Sequence, residues 1–296
     1  MNDNVISPFD SAVPAWFSAA IAHAGNSQFA EVDGVQVHYL CWGLEAVEKP
    51  ALVFVHGYRA HARWWDFIAP FFAERYRIIA LDLSGMGDSG HRDFYDGLTF
   101  ANDIIGVIRH SGIGPATVIG HSLGGTRVLR ACVEAPELMN HLIIIDSYIR
   151  FGDGAIPDVA APRPTAPPYA DKAQAMRRFR LMPPQPVALT YAIDFIADHS
   201  LRQIEGGWQW KFDRRLPTVV LEPGEHERFS RIDVPVDIVY GESSSVVDDA
   251  MMRQLLGLFR HGRGPVVIPE AYHHVMLSQP LALVSTLRAL LARRRS

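Results

Sequence analysis

The run Thr117-Val118-Ile119-Gly120-His121-Ser122-Leu123-Gly124-Gly125 decides how this chain folds. Thr117 to Ile119 is short, β-branched and without polar alternation, which is how a strand covered on both faces reads. Directly behind it, Gly124 to Glu134 carries apolar residues at helical spacing. A strand that passes into a helix within so few residues needs a sharp turn. Gly120 and Gly124 permit that turn and leave the Ser122 hydroxyl exposed. The first turn of the helix supplies N–H groups that favour a developing oxyanion. The plainer reading is a serine that only caps a helix. Gly-x-Ser-x-Gly is also a loose pattern, expected by chance roughly 0.1 times in a chain of this length, so its surroundings must decide.

Outward from this turn the pattern repeats. Val35 to Trp42 alternates like a half-buried strand. Ala51 to Val55 ends at His56-Gly57, Arg77 to Leu81 at Asp82, Leu142 to Ile145 at Asp146, and Val236 to Tyr240 at Gly241-Glu242. Pro265 to Ile268 ends before Tyr272-His273-His274. Helical spacing marks Thr99 to His110, Ala250 to Phe259 and Leu281 to Ala292, and Val13 to Ala24 reads as a short amphipathic helix. Strand alternating with helix predicts an α/β fold with a doubly wound, mostly parallel sheet flanked by helices. In such sheets ligands bind at the carboxyl ends of the strands. Phe151 to Arg231 breaks the alternation. A proline- and alanine-rich stretch, Ala155 to Pro168, precedes Asp171 to Leu181, Val187 to Ile204 and the aromatic run Trp208 to Phe212. The expected division is a core of residues 1–147 and 232–296 with a mostly helical insertion over 148–231.

The bulk composition narrows the class. The chain has 296 residues, 48% hydrophobic and 20% charged, so one large core needs no disulfide or metal to hold it. A net charge of −4 argues against a nucleic-acid partner, and Arg293-Arg294-Arg295 suits the end of a helix. No stretch reaches the ~18 apolar residues of a membrane span, and the N-terminus does not read as a signal peptide. Cys41 and Cys132 lie in apolar surroundings and read as buried free thiols. These features fit a cytoplasmic protein, monomeric or homodimeric.

A serine nucleophile needs a base, and His273 or His274 follows the last strand at a suitable place. His56-Gly57-Tyr58 can turn a backbone N–H toward the same cavity, which with the N–H of Leu123 would make a two-donor oxyanion hole. Gly85-Met86-Gly87-Asp88-Ser89-Gly90 matches a dinucleotide fingerprint, but no helix pattern follows it, so it reads as a turn. The 13 histidines show no metal-ligand spacing, and neither metal nor cofactor is expected.

Taken together, HGYRAHARWWD, ALDLSGMGDSG, GHSLGG, LIIIDS, VDIVYGE and HHVMLSQP resemble the α/β-hydrolase superfamily over nearly the whole chain. The resemblance implies an α/β-hydrolase fold with a helical cap, and Ser-His-acid catalysis through an acyl-enzyme. It puts Ser122 on the nucleophile, and Tyr58 and Leu123 on the oxyanion donors. His273 falls on the base, because the family's histidine stands seven residues before a proline, here Pro280. The acid departs from pattern: where many members carry aspartate after Gly241, this chain has Ser244. Asp146 is favoured as the substitute, with Asp248 and Glu242 as alternatives. Serine rather than aspartate as nucleophile implies a small-molecule acyl substrate, an ester or related compound. Thioesters and C–C bonds beside a ketone remain alternatives, as does a ligand-binding fold without activity. Arg59, Trp64, Trp65 and Trp208 are the expected substrate contacts. Phe179, Trp210, Arg177, Arg178 and Arg180 are weaker candidates.

Overall fold

The structure, a computed structural model, describes residues 13–151, 167–186, 189–217 and 224–293. Its strands are β1 (Asn26–Val32), β2 (Val35–Trp42), β3 (Ala51–Val55), β4 (Arg77–Leu81), β5 (Ala116–His121), β6 (Met139–Ile145), β7 (Leu201–Ile204), β8 (Gly207–Trp210), β9 (Val236–Gly241) and β10 (Gly262–Ile268). The helices are α1 (Ala15–Ala22), α2 (Gly97–Ser111), α3 (Leu123–Glu134), α4 (Lys172–Met176), α5 (Thr190–His199), α6 (Glu225–Phe229), α7 (Asp249–Leu256), α8 (Val275–Ser278) and α9 (Pro280–Ala292). Eight strands form one sheet in the order β1-β2-β4-β3-β5-β6-β9-β10. β1 and β2 run antiparallel to their neighbours, and every other pair in the sheet is parallel.

The expected strands are all present, with small differences at their ends. β1 escaped the sequence reading. Five of its seven residues are exposed, so this edge strand carries no apolar run. The central strands behave as predicted: every residue of β3 and β5 is buried. Two apolar layers cover the sheet. Ile104, Val107, Val128 and Leu129 lie on one face, and Phe17, Phe67, Leu283 and Leu287 on the other. Burying each such side chain contributes roughly 1.5–3 kcal/mol before entropy is counted. Helix α2 shows why its boundaries are sharp. The Asp96 side chain accepts from Thr99 N at 2.7 Å, and Gly112 ends the helix at a φ of 62° that a side chain would resist.

The strand order places the site. After β3 the chain goes to one side of it for β4, then crosses to the other side for β5. The connections leaving β3 and β5 therefore diverge and open a crevice at the carboxyl ends of these two strands. His56-Gly57 leaves β3 there, and Ser122 leaves β5.

Between β6 and β9 the described residues form the helices α4, α5 and α6 and also the antiparallel hairpin β7–β8. Leu201 to Ile204 ends a stretch read as helical. In the structure α5 stops at His199, and Gly206 and Gly207, both with positive φ, turn the chain back. Most of the proline-rich stretch 155–168 lies outside the described residues, as do 294 and 295 of the arginine run. Cys41 and Cys132 are free and buried, and burial pushes the Cys132 thiol up to about 12. Among the described residues no helix is long and apolar enough to cross a membrane.

Candidate active site

Ser122 sits at φ 53°, ψ −123°, backbone angles that a residue with a Cβ rarely adopts and that cost of order 1–3 kcal/mol. Its surroundings enforce them. A Cβ on Gly120 would fall 2.6 Å from the Gly125 Cα and the Gly124 carbonyl oxygen, and one on Gly124 2.5 Å from the His56 carbonyl oxygen. The strand, the turn and the helix thus close on one another with no room for side chains at those two positions. Ser122 N donates to Ile145 O at 3.0 Å, which pins the turn to β6. Ser122 precedes α3, yet its side chain does not cap that helix. The hydroxyl instead donates to His273 Nε2 at 3.1 Å. The helix-capping reading of this serine is therefore excluded by geometry.

His273 Nδ1 donates to Asp146 Oδ1 at 2.7 Å, which fixes the imidazole with its proton on Nδ1 and a lone pair facing Ser122. Asp146 follows β6 with a φ of 46° and is fully buried. Its charge is met on every side. Oδ1 also accepts from Ser244 Oγ at 2.7 Å, and Oδ2 accepts from Gly241 N at 2.9 Å. Ser244, at the position where the family resemblance implied an aspartate, thus stands as a hydrogen-bond donor to a carboxylate that follows the neighbouring strand β6. Its oxygen also accepts from Val246 N at 3.1 Å and Val247 N at 3.3 Å. The other acid candidates are engaged elsewhere. Asp248 is exposed and caps α7 by accepting from Met251 N at 2.8 Å. Glu242 accepts from Glu270 N at 3.0 Å.

The loop after β3 lies against Ser122. A Cβ on Gly57 would sit 3.1 Å from the Ser122 Cβ and 3.2 Å from His121 Nδ1. Leu123 is the first residue of α3, so its N–H has no carbonyl four residues back within the helix. His56 holds the loop from below: Nδ1 donates to Gly57 O at 2.7 Å, and Nε2 accepts from Leu83 N at 3.1 Å. These roles need a neutral ring, in keeping with burial, which lowers its pKa.

Two further histidine rings lie close to that of His273: His121 at 4.9 Å and His274 at 4.8 Å. His121 Nε2 donates to the His273 carbonyl at 2.9 Å, and burial, together with the neighbouring histidines, holds its pKa well below the usual value. Burial also pushes His274 down to about 3, with repulsion from His273 acting the same way. Both stay neutral where a serine nucleophile works.

The expected substrate contacts separate. Arg59 takes a φ of 54°, and its guanidinium lies 5.0 Å from the Tyr58 ring centroid and 4.7 Å from that of Phe212 in the insertion. No ion pair joins it to an acid among the described residues, and its buried Nε has no hydrogen-bond partner there. Trp64 is buried, 5.4 Å from the His274 ring. Trp65 is wholly buried and packs on Phe54 at 5.0 Å between ring centroids. Both tryptophans lie in one short 3-10 turn, Ala62–Trp65, and look alike in sequence. Trp208 belongs to β8, where it pairs with Tyr169 and lies under the Lys172 ammonium at 5.1 Å. None of its contacts reaches Ser122. Phe179 and Trp210 pack on each other at 6.2 Å, and Arg180 donates to the Arg177 and Phe179 carbonyls at the surface.

The glycine-rich stretch after β4 is a turn, with Gly85 N donating to Gly90 O at 2.8 Å and no helix before Gly97. Nearby, His38, Asp82 and Asp88 place three possible metal-ligand atoms within 4.8 Å of one another. Their atoms are already engaged. His38 Nδ1 donates to Asp82 Oδ2 at 2.7 Å, Ala62 N donates to Asp82 Oδ1, and the Lys211 ammonium lies 2.7 Å from Asp88. Burial works to raise the Asp82 pKa, but the hydrogen bond and charge of His38 outweigh it and the carboxyl is lowered. The cluster ties β2, β4 and the insertion together.

A sequence model of the Alpha/beta hydrolase family matches residues 52–286. The chain belongs to the alpha/beta hydrolase family. It is 27% identical over 277 residues to the esterase Rv0045c of Mycobacterium tuberculosis, covering 90% of this chain and 91% of that one. It is 26% identical over 230 residues to the 2-(acetamidomethylene)succinate hydrolase of Mesorhizobium japonicum, covering 76% and 82%. Among solved structures it resembles the thioesterase domain from the curacin biosynthetic pathway, with a TM-score of 0.74, 25% identity, and coverage of 89% of this chain and 99% of that one. With relatives of this kind, the protein is a hydrolase.

Proposed function

We propose that this hydrolase cleaves a carboxylic ester or related acyl compound through an acyl-enzyme on Ser122. The observation that carries the reading is the unbroken hydrogen-bonded chain from Ser122 Oγ through His273 to the buried Asp146. His273 takes the hydroxyl proton as Oγ attacks the acyl carbon, and the backbone N–H groups of Tyr58 and Leu123 hold the oxyanion. His273 then gives the proton to the leaving alcohol; in the second half it takes one from water as the water oxygen attacks the acyl carbon, and returns it to Ser122 Oγ as the C–Oγ bond breaks and the acid leaves. Asp146 keeps the imidazole in the required tautomer and offsets its charge.

Residues 148–231 serve in this reading as a cap over the strand ends. His61 Nε2 donates to Ser200 Oγ at 2.9 Å, and Tyr58 Oη donates to Leu216 O at 3.4 Å, so the insertion touches the loop that bears the oxyanion donor. Arg59, held between two aromatic faces with no acid partner among the described residues, supports a substrate bearing a carboxylate. The similar hydrolase from Mesorhizobium japonicum is named for a succinate, which agrees. The likeness to a thioesterase domain favours thioesters as a second class on the same residues. Two buried free thiols suit a reducing compartment such as the cytoplasm.

The test is hydrolysis of 4-nitrophenyl esters of graded chain length beside acyl-CoA thioesters and a half-ester of a dicarboxylic acid. Ser122→Ala should abolish turnover. Arg59→Ala should raise KM for the half-ester about tenfold and leave the neutral esters little changed. Full activity in Ser122→Ala would overturn the reading.

A further inference from the structure

Beside the Ser122–His273–Asp146 chain lies a contact that no catalytic step above uses. Gln185 stands between α4 and α5 in the run Met182-Pro183-Pro184-Gln185-Pro186. The prolines restrict the backbone around it, so little freedom is lost when its side chain is held. Gln185 Oε1 accepts from His274 N at 2.8 Å and from His274 Nδ1 at 2.8 Å. One side chain of the insertion thus grips both the main chain and the ring of the residue that directly follows His273.

His274 directly precedes α8, and its ring lies 4.8 Å from that of His273. The rest of this turn is held from the core: His121 donates to the His273 carbonyl, and Tyr272 N donates to Ser278 Oγ at 3.1 Å. The core therefore fixes residues 272 and 273; α8 holds the His274 carbonyl, through Leu277 N at 2.9 Å, and Gln185 holds the His274 N–H and ring.

We propose that Gln185 is a positioning residue that, through His274, holds the His273 imidazole in register with Ser122, so that seating of the insertion and competence of the base are one event. This rests on the reading of Ser122 and His273 as nucleophile and base. The Ser122–His273 separation of 3.1 Å is near the long end for proton transfer, and a misplacement of about 1 Å can cost about 100-fold. Gln185 acts on the base and not on the substrate, so its loss falls on kcat and spares KM.

The test compares Gln185→Leu, which removes the acceptor at similar volume, Gln185→Asn, which is one methylene short, and Gln185→Glu, which keeps an acceptor at the same reach. Activity is read with 4-nitrophenyl acetate, and the rate of labelling by a fluorophosphonate provides a second measure. Gln185→Leu and Gln185→Asn should lower kcat and the labelling rate about tenfold with KM within about twofold. Gln185→Glu should stay within about threefold of the wild type. The asparagine variant reports even where the leucine variant does not fold. A kcat within twofold of wild type in either variant, a loss confined to KM, or a glutamate variant as impaired as the leucine one overturns the proposal. Ser122→Ala in parallel separates the two readings. An active Ser122→Ala sinks the serine nucleophile, whereas an inactive one beside normal Gln185 variants sinks only the role of Gln185.

Discussion

The carboxyl ends of β6 and β9 are neighbours in the sheet, yet only β6 places a carboxylate on His273. β6 ends in Asp146, fully buried and bonded to His273. β9 ends in Gly241, and three residues on Ser244 donates to Asp146 at 2.7 Å. Because the pair is parallel and in register, with Ile145 opposite Val239, the two ends lie side by side at the histidine. The difference is one of roles: β6 supplies the carboxylate that meets His273 Nδ1, and the end of β9 supplies donors to that carboxylate, Gly241 N and the Ser244 hydroxyl. The Ser244 hydroxyl is thus a direct donor to the buried anion at the end of β6.

The comparison breaks or sharpens in order of expected effect. Asp146→Asn keeps the shape but removes the charge and the tautomer control, and kcat should fall about 1000-fold or more. Adding Ser244→Asp to Asp146→Asn returns a carboxylate from β9, and steady-state rates should recover at least about tenfold over the single variant. No recovery would mean that the two strand ends are not equivalent. Ser244→Ala removes one donor to a buried anion. Denaturant unfolding should show a loss of about 1.5–3 kcal/mol, with kcat reduced less than about tenfold. Asp248→Ala loses only the cap of α7, about 1 kcal/mol of stability by the same unfolding measurement, with kcat unchanged. A large fall in kcat there would return Asp248 to the site.

How much of this was legible in the sequence follows the same division. Short buried strands announce themselves, because both faces of β3, β5 and β6 must be apolar. Ser122 was legible because the elbow is local: the glycines that permit it lie two residues away on either side. His273 needed a family resemblance to part it from His274, since both are buried and only the geometry puts one of them on Asp146. Asp146 was favoured, but what Ser244 does was not readable, because its partner stands 98 residues away. Adjacent Trp64 and Trp65 look alike in sequence, and only the structure shows that Trp65 packs on Phe54 and Trp64 on His274. Gln185 carried no signal at all, since a glutamine among prolines reads as a loop until His274 is beside it.

The most direct measurement is the site of covalent labelling by a fluorophosphonate, mapped by mass spectrometry on the folded chain. A single adduct on the peptide containing Ser122, absent in Ser122→Ala and formed at least about 100-fold more slowly in Asp146→Asn, is the expected result. An adduct that persists in Ser122→Ala, or labelling of Asp146→Asn at the wild-type rate, would contradict the assignment of Ser122, His273 and Asp146 as one catalytic unit.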